Sequence, residues 1–273
     1  MPENDPIDTA KNGVTLVAEV IKAAGDSPQV KEAANNLGQT AVTLTKTINN
    51  VLVPLAAINF AFDKAREYFS GKFQEDIAEK AQAIPPEHVV EPKASIAGPT
   101  LQGLAFTHEE PSLKEMYLNL LATSMDGRSA SLAHPAFVEI IKQLDSEDAR
   151  LVQSALKSTG PLPIIQIRKT LQTGGYVVLV NHLLNLKNTA TGAPVEDPNL
   201  PVMIDNWIRL GLVEVSYDLH LADESKYDWA EGRPELIHQS QLPQPEGAKI
   251  EYGNGIMRRT ELGKRFAQAV GLQ

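Results

Sequence analysis

The residue types that most often catalyse reactions or bind metals are scattered along this chain. It contains no cysteine, which excludes a thiolate nucleophile, a zinc–thiolate site and a disulfide framework. None of the six histidines lies in an HExxH or HxH pattern, and no GxSxG or Walker-type loop occurs. The densest local group is His220 with Asp223 and Glu224, in a predicted loop that we interpret as solvated and acidic. We therefore predict no catalytic residue, no metal and no cofactor.

A second polar group could form a site only if folding brought its members together. Asp126, Arg128, His134 and Glu139 lie in one stretch of the chain. A buried cluster of these side chains around a pocket would indicate an enzyme of unrecognised class. Gly127 favours a structural interpretation instead, because glycine commonly ends helices. We expect a non-enzymatic protein.

A local basic cluster near the C-terminus raises the question of nucleic-acid binding. The formal net charge of the chain is −9, which disfavours non-specific attraction to nucleic acid. The helix predicted at 199–210 exposes Arg209 beside Asp205, a poor combination for reading a major groove. We predict no tight binding to nucleic acid, although a winged-helix DNA-binding regulator stays the alternative. The candidate basic patch consists of Arg258, Arg259, Lys264 and Arg265.

An apolar segment at 47–62 is the strongest candidate for an interaction surface. It carries no charged residue from Thr47 to Phe62, but it is shorter than the roughly 20 residues that a spanning helix needs. Burial in a helical core, an oligomer interface and contact with a membrane surface are all compatible with such a helix. We predict that its side chains outside the core make the functional or oligomer contact. The candidate interaction residues are Val51, Leu52, Leu55, Ile58 and Phe62.

Apolar residues at helical spacing recur along the first part of the chain and predict a mainly α protein. The stretch 84–99 contains four prolines, so it is expected to form an extended, ordered connection and no regular helix. The first helix is predicted at 6–24, and a second helix then continues to about residue 70 with a kink at Pro54. Further helices are predicted at 71–82, 113–121, 137–144 and 146–157.

The second part of the chain predicts a different architecture. Pro163 to Ile167 is rich in β-forming residues, and helices are predicted at 171–186 and 199–210. A strand follows within 212–221, and Asn254-Gly255 indicates a hairpin before a final helix from Thr260. This order is typical of a winged helix-turn-helix. We therefore predict a helical region, 1–130, followed by a winged-helix-like α+β region, 131–273, with a polar insertion at 222–247.

Three segments together resemble the bacterial abortive-infection alpha family, a domain of unknown function. They are IPPEHVVEPKASIAGPTLQGLAF (84–106), LKEMYLNLLATSMD (113–126) and HPAFVEIIKQLDSEDARLV (134–152). The resemblance implies anti-phage defence and provides no catalytic residues to assign. The three motifs are expected to pack together as one structural unit.

The function that we expect from the resemblance is a sensor, adaptor or effector of abortive infection that acts by protein contacts. Its expected partner is a protein or a phage component, and a homo-oligomer is a further expectation. The acidic, polar N-terminus, MPENDPIDTAKNG, lacks the pattern of a signal peptide. We therefore expect a cytoplasmic location, with a peripheral position at a membrane surface as an open alternative.

Overall fold

The structure is a computed structural model that describes residues 62–272. The chain divides into two compact units, one of residues 1–151 with 265–273 and one of residues 152–264. The domain boundary at residue 130 stays a prediction. Among the described residues helices predominate over strands, as the sequence predicts.

The described part of the first unit is built from helices. Leu113, Met116, Tyr117, Leu120 and Leu121 are all buried, as their spacing predicts, and the helix that carries them packs against its neighbours before and after it in the chain. The helices that lie in this unit wholly or in part are α1 (Phe62–Ser70), α2 (Lys72–Ala81), α3 (Ala94–Thr107), α4 (Pro111–Met125), α5 (Pro135–Ile141), α6 (Ser146–Lys157) and α9 (Glu261–Ala269).

The proline-rich connection agrees with the prediction over its first ten residues and differs beyond them. A 3-10 turn spans Pro86–His88, and an extended segment follows. Helix α3 begins at Ala94, however, and includes Pro99 in its second turn. The prediction of no regular helix up to residue 99 is therefore wrong. A proline this close to a helix start removes one hydrogen bond and leaves the remaining turns intact.

The second unit contains a four-stranded antiparallel sheet in the order β2-β1-β4-β3. Ile165 and Ile167 of the central strand β1 form a core on one face with Leu183, Tyr227 and Ala230. The strands are β1 (Leu162–Thr170), β2 (Tyr176–Leu183), β3 (Val213–Ser216) and β4 (Lys249–Arg259), and the helices α7 (Leu200–Arg209) and α8 (Pro234–Gln241) complete the unit.

Two predictions about this unit are wrong. The segment 171–186 is no helix, because most of it forms strand β2. Asn254-Gly255 makes no hairpin turn, because both residues lie inside β4 and pair with β1. Strand β1 and helix α7, in contrast, occur where the sequence predicts them. The winged-helix interpretation depended on three successive helices. The structure instead has helix α6, strands β1 and β2, and helix α7.

The polar insertion predicted at 222–247 is an ordered part of the second unit. A 3-10 helix, Glu224–Gly232, places Tyr227 against the sheet, where its hydroxyl donates to the carbonyl of Gly255 at 2.8 Å. Arg233 is fully buried and pairs with Glu235. Its guanidinium also donates to the carbonyls of Leu186 and Val195, so it holds the segment that follows β2.

Candidate functional site

Strand β2 is irregular in a way that exposes one part of it and turns another inward. Between the pairs Ile165–Leu183 and Ile167–Val180, β2 contains one residue more than β1, and a second extra residue precedes the pair Arg168–Val178. Such bulges bend a strand and re-aim its side chains. The regular part of β2 is thereby limited to its first three residues.

His182 lies in the first of these bulges and has the backbone conformation that L side chains rarely adopt. Its φ is 58°, the one positive value among the described residues other than glycine. This conformation costs free energy, so surrounding contacts must maintain it. The contacts that maintain it come from Tyr217 and Asp205.

Tyr217 reaches across the sheet to His182. Gly255 makes the crossing possible, because a Cβ at this position would lie 2.6 Å from the tyrosine ring. The Tyr217 hydroxyl accepts the backbone N–H of His182 at 3.1 Å and lies 3.1 Å from its Nδ1. It also lies 3.3 Å from the carbonyl oxygen of Ile165. One side chain thus links three strands, and burial raises its pKa to about 12.

Asp205 of α7 completes the network at the other ring nitrogen, with Oδ1 3.2 Å from Nε2 of His182. An ionised carboxylate only accepts hydrogen bonds, so Nε2 carries a proton. The single hydrogen of the Tyr217 hydroxyl is shared between Nδ1 of His182 and the carbonyl oxygen of Ile165. Burial lowers the pKa of His182, and Asp205 opposes this effect. Both ring nitrogens are thus engaged by side chains of the same unit, and the network holds β2 in place.

A second polar contact fixes the start of β2. The Arg168 guanidinium lies over the ring of Tyr176, 4.1 Å from its centre, in the space that Gly253 leaves open. The amide oxygen of Gln166 accepts from Nε of Arg168 at 2.7 Å, and the amide nitrogen donates to Oδ1 of Asn181. The guanidinium is therefore committed to groups within the sheet.

These contacts leave an apolar edge on the outer strand of the sheet. Tyr176, Val177 and Val178, which we call the β2 edge, are 50%, 47% and 37% exposed. In the described chain β2 has β1 on one side and no strand on the other. No Asp, Glu, Lys or Arg occurs from 171 to 186. Edge strands usually carry charge or proline that prevents pairing with another chain, and the β2 edge has neither.

The sequence analysis missed this edge because it predicted a helix at 171–186. The signal that could have revealed it is Gly174-Gly175 followed by consecutive valines. Both glycines have positive φ, 87° and 79°. Two such residues before a β-branched run are typical of a tight hairpin.

The candidate basic patch consists of four cations that each have a partner. Arg258 pairs with Glu214 at 2.6 Å, and Lys264 pairs with Glu261 at 2.6 Å. Arg259 donates to the carbonyl of Leu156 at 2.9 Å, and Arg265 donates to the carbonyl of Ser131. Two of the four cations are thus paired with carboxylates, and the other two donate to backbone carbonyls.

The polar group at 126–139 is divided among local structural roles. Asp126 accepts three hydrogen bonds from the Arg128 guanidinium, which lower its pKa. His134 accepts the backbone N–H of Ala136 at 3.1 Å and so caps the start of α5. Glu139 pairs with Lys142. These four residues therefore serve the backbone and their near neighbours.

The family-like motifs meet where the proline-rich connection passes the end of α4. The Val90 N–H donates to the carbonyl of Met125 at 2.8 Å, and the Gly127 N–H donates to that of His88 at 2.7 Å. Helices α3, α4 and α5 also pack on one another. The motifs thus form a packed structural unit, as predicted.

Two further places in the described chain carry clustered polar side chains. A cavity of about 190 Å³ is lined in part by Glu196, Asp197, Glu235 and His238, and it is smaller than the roughly 300–1,000 Å³ typical of ligand pockets. Glu235 there is already paired with Arg233. Within residues 62–272 no group of His, Asp and Glu has the arrangement of a metal site, and Asp223 instead accepts from Ser225.

Val51, Leu52, Leu55 and Ile58 lie outside the described residues, as does the side chain of Phe62. Over the part of the chain that is described, no helix has the length and apolar character needed to cross a membrane.

Comparison with known proteins identifies one relationship. The family model described as abortive infection alpha matches residues 65–270, which includes both compact units over most of their described length. No curated protein and no solved structure matches the chain. The family name refers to abortive infection, a form of anti-phage defence. Because the match covers well over half of the sequence, the chain belongs to the abortive infection alpha family.

Proposed function

We propose that this protein is a non-enzymatic component of abortive infection that acts through protein contacts made at the β2 edge. The observation that carries the proposal is an exposed, uncharged and regular strand segment at the margin of the sheet. Exposed edges of this kind bind extended segments of other chains by adding a strand. A sensor, adaptor or effector would use such a surface to bind its protein or phage partner.

The composition of the β2 edge favours a protein partner over nucleic acid. No cation occurs between residues 171 and 186. In the adjacent strand β1, Arg168 is engaged by Gln166 and Tyr176, which leaves Lys169, opposite Val177, as a single positive charge. Binding to nucleic acid depends mainly on cations that meet phosphates. Main-chain hydrogen bonds and apolar side chains are instead what a partner strand offers.

The antiparallel pair β3–β4 next to α7 is the part of the winged-helix interpretation that we keep. In this proposal the pair serves packing. Glu214 and Arg258 form an exposed ion pair across β3 and β4, so the patch expected to contact DNA is occupied by a carboxylate. A DNA-binding regulator therefore becomes an outcome of the test below, together with a lipid surface, which exposed valines would also favour.

Substitution of Val177 by glutamate tests the proposal. Val177 pairs with Lys169 of β1, so the new carboxylate has an opposite charge across the strand and the fold should be retained. We expect Val177→Glu to melt like the wild type and to lose protection against phage, measured as efficiency of plating. The matched control is Val202→Glu on α7, because Val202 is 68% exposed and should tolerate the change with full protection.

Unchanged protection in a folded Val177→Glu variant would contradict the proposal. Loss of binding to anionic vesicles alongside lost protection would instead assign the β2 edge to a lipid surface. Salt-sensitive binding to duplex DNA that persists in Val177→Glu and is lost in Arg258→Ala would favour the regulator.

A further inference from the structure

We propose that the partner of the β2 edge is a second copy of this chain, which joins it by antiparallel pairing of β2 with β2. This inference rests on the proposed function, because it names the partner of the same surface. The product would be one continuous sheet of eight strands, four from each copy. A two-fold arrangement of this kind needs one surface that is complementary to itself.

The two bulges define which residues can pair. Leu179 is the extra residue between the pairs Ile167–Val180 and Arg168–Val178, so the regular ladder ends at Val178. On the other side, Gly174 and Gly175 form the turn. The segment available for regular pairing is therefore Tyr176–Val178, and a symmetric pair centred on it places Val177 on the two-fold axis.

This register is complementary to itself in side-chain type. Val177 lies opposite Val177 of the second copy, and Tyr176 lies opposite Val178. Pairs of an aromatic with a β-branched residue are among the cross-strand pairs that stabilise antiparallel strands. Because Gly174, Gly175, Asn181 and the neutral His182 flank the segment, the same register opposes no like charges.

The charge of the whole protein explains why the contact should occur here. With a formal net charge of −9, two copies repel each other through most surfaces. A segment of 16 residues without Asp, Glu, Lys or Arg, 171–186, is a place where two copies can approach without opposing carboxylates. The opposite edge of the sheet differs from this segment. If β3 paired with β3 of a second copy, Glu214 of one copy would lie near Glu214 of the other.

The absence of cysteine from the sequence allows a direct test by single-cysteine cross-linking. Residues directly opposite in an antiparallel pair have Cα atoms about 4.5–5.5 Å apart, within the range that a disulfide spans. In the full-length chain we expect Val177→Cys to form a covalent dimer under mild oxidation. Val202→Cys is the control, because it is more exposed but lies on α7.

Sedimentation of chains without cysteine provides the second measurement. The wild type should show a concentration-dependent dimer, and Val202→Glu should retain it. Val177→Glu should be monomeric and should melt like the wild type at concentrations at which the wild type is also monomeric. The inference is overturned if Val177→Cys cross-links no better than Val202→Cys, or if the wild type stays monomeric at every concentration.

The two proposals can fail separately. If Val177→Glu loses phage protection although the wild type is monomeric, the β2 edge still serves defence and its partner is another protein. If Val177→Cys cross-links efficiently but Val177→Glu protects as well as the wild type, the self-pairing stands and the proposed function of the edge falls.

Discussion

The two edges of the sheet differ in length, charge and exposure, although both belong to the same unit. Strand β3 has four residues, and its central Glu214 is paired with Arg258 of the neighbouring strand. Strand β2 has eight residues, no charge, and three exposed apolar side chains at its start. If folding were the only requirement, β2 could carry charged side chains as β3 does. The difference supports the proposal that the β2 edge makes a contact with another chain.

The same contrast separates β2 from the motifs by which the family is recognised. Arg128 donates to Asp126, and His134 accepts a nearby backbone N–H. Gly127 lies close to the carbonyl of His88. These residues are needed for packing. The surface that we assign to function carries no comparable motif, because exposed valines at an edge resemble many other short strands.

The largest expected effect concerns the support behind β2. Arg233→Ala would leave Glu235 charged and buried and would free the carbonyls of Leu186 and Val195. Breaking a buried ion pair from one side costs about 3–5 kcal/mol. We expect urea unfolding to show this loss, with Lys226→Ala, which removes an exposed pair with Asp223, close to the wild type. Equal midpoints for the two variants would show that Arg233 does not hold this segment.

An intermediate effect is expected where Tyr217 crosses β4. In Gly255→Ala the new Cβ would lie 2.6 Å from the Tyr217 ring and 2.7 Å from the carbonyl oxygen of Ser216. Overpacking of this kind costs about 1–3 kcal/mol. Gly160→Ala is the matched control, since its Cβ would meet no atom within 4 Å. If thermal unfolding shows the two variants to be equally stable, the close crossing of Tyr217 is not a constraint.

The smallest effect is a dependence on pH. Burial lowers the pKa of His182 from its ordinary 6.5, so the unfolded chain takes up the proton at a higher pH than the folded protein. The stability due to neutral His182 is thus complete above about pH 6.5 and is lost as the pH falls towards the folded pKa. His182→Asn does not titrate, and asparagine tolerates positive φ.

We expect the wild type to lose more stability than His182→Asn between about pH 7.5 and about pH 5.5, measured by chemical unfolding. Parallel profiles for the two proteins would show that His182 does not titrate differently in the folded state. The same comparison tests the support of β2, because His182 lies in the bulge between Val180 and Leu183, beyond the bulge at Leu179 that ends the regular part.

The helices of the first unit could be predicted because their periodicity is local. Leu113, Met116 and Tyr117 repeat at helical spacing in the sequence, and all three are buried. The proline at position 99 misled the prediction, because its place in the second turn of α3 depends on a helix start at Ala94. That start is determined by packing of the helix and by no strong local capping signal.

The sheet could be predicted only in part because its decisive contacts join distant residues. Asn254-Gly255 has the sequence of a turn, but Gly255 is needed where Tyr217 crosses the strand. His182 and Tyr217 are 35 residues apart, and nothing in either local sequence indicates their contact. The apolar run of β2 is compatible with a buried helix as well as a strand, and only its pairing with β1 decides between them.

The measurement that most directly tests the central claim is phage protection by two reciprocal edge variants. Val177→Glu gives β2 a carboxylate like that of β3, and Glu214→Val removes the carboxylate from β3 at a cost of at most about 1 kcal/mol for an exposed ion pair. The account predicts that Val177→Glu loses protection while Glu214→Val keeps it, with both proteins folded. Retained protection in Val177→Glu, or equal loss in both variants, would contradict the claim that the β2 edge makes the functional contact.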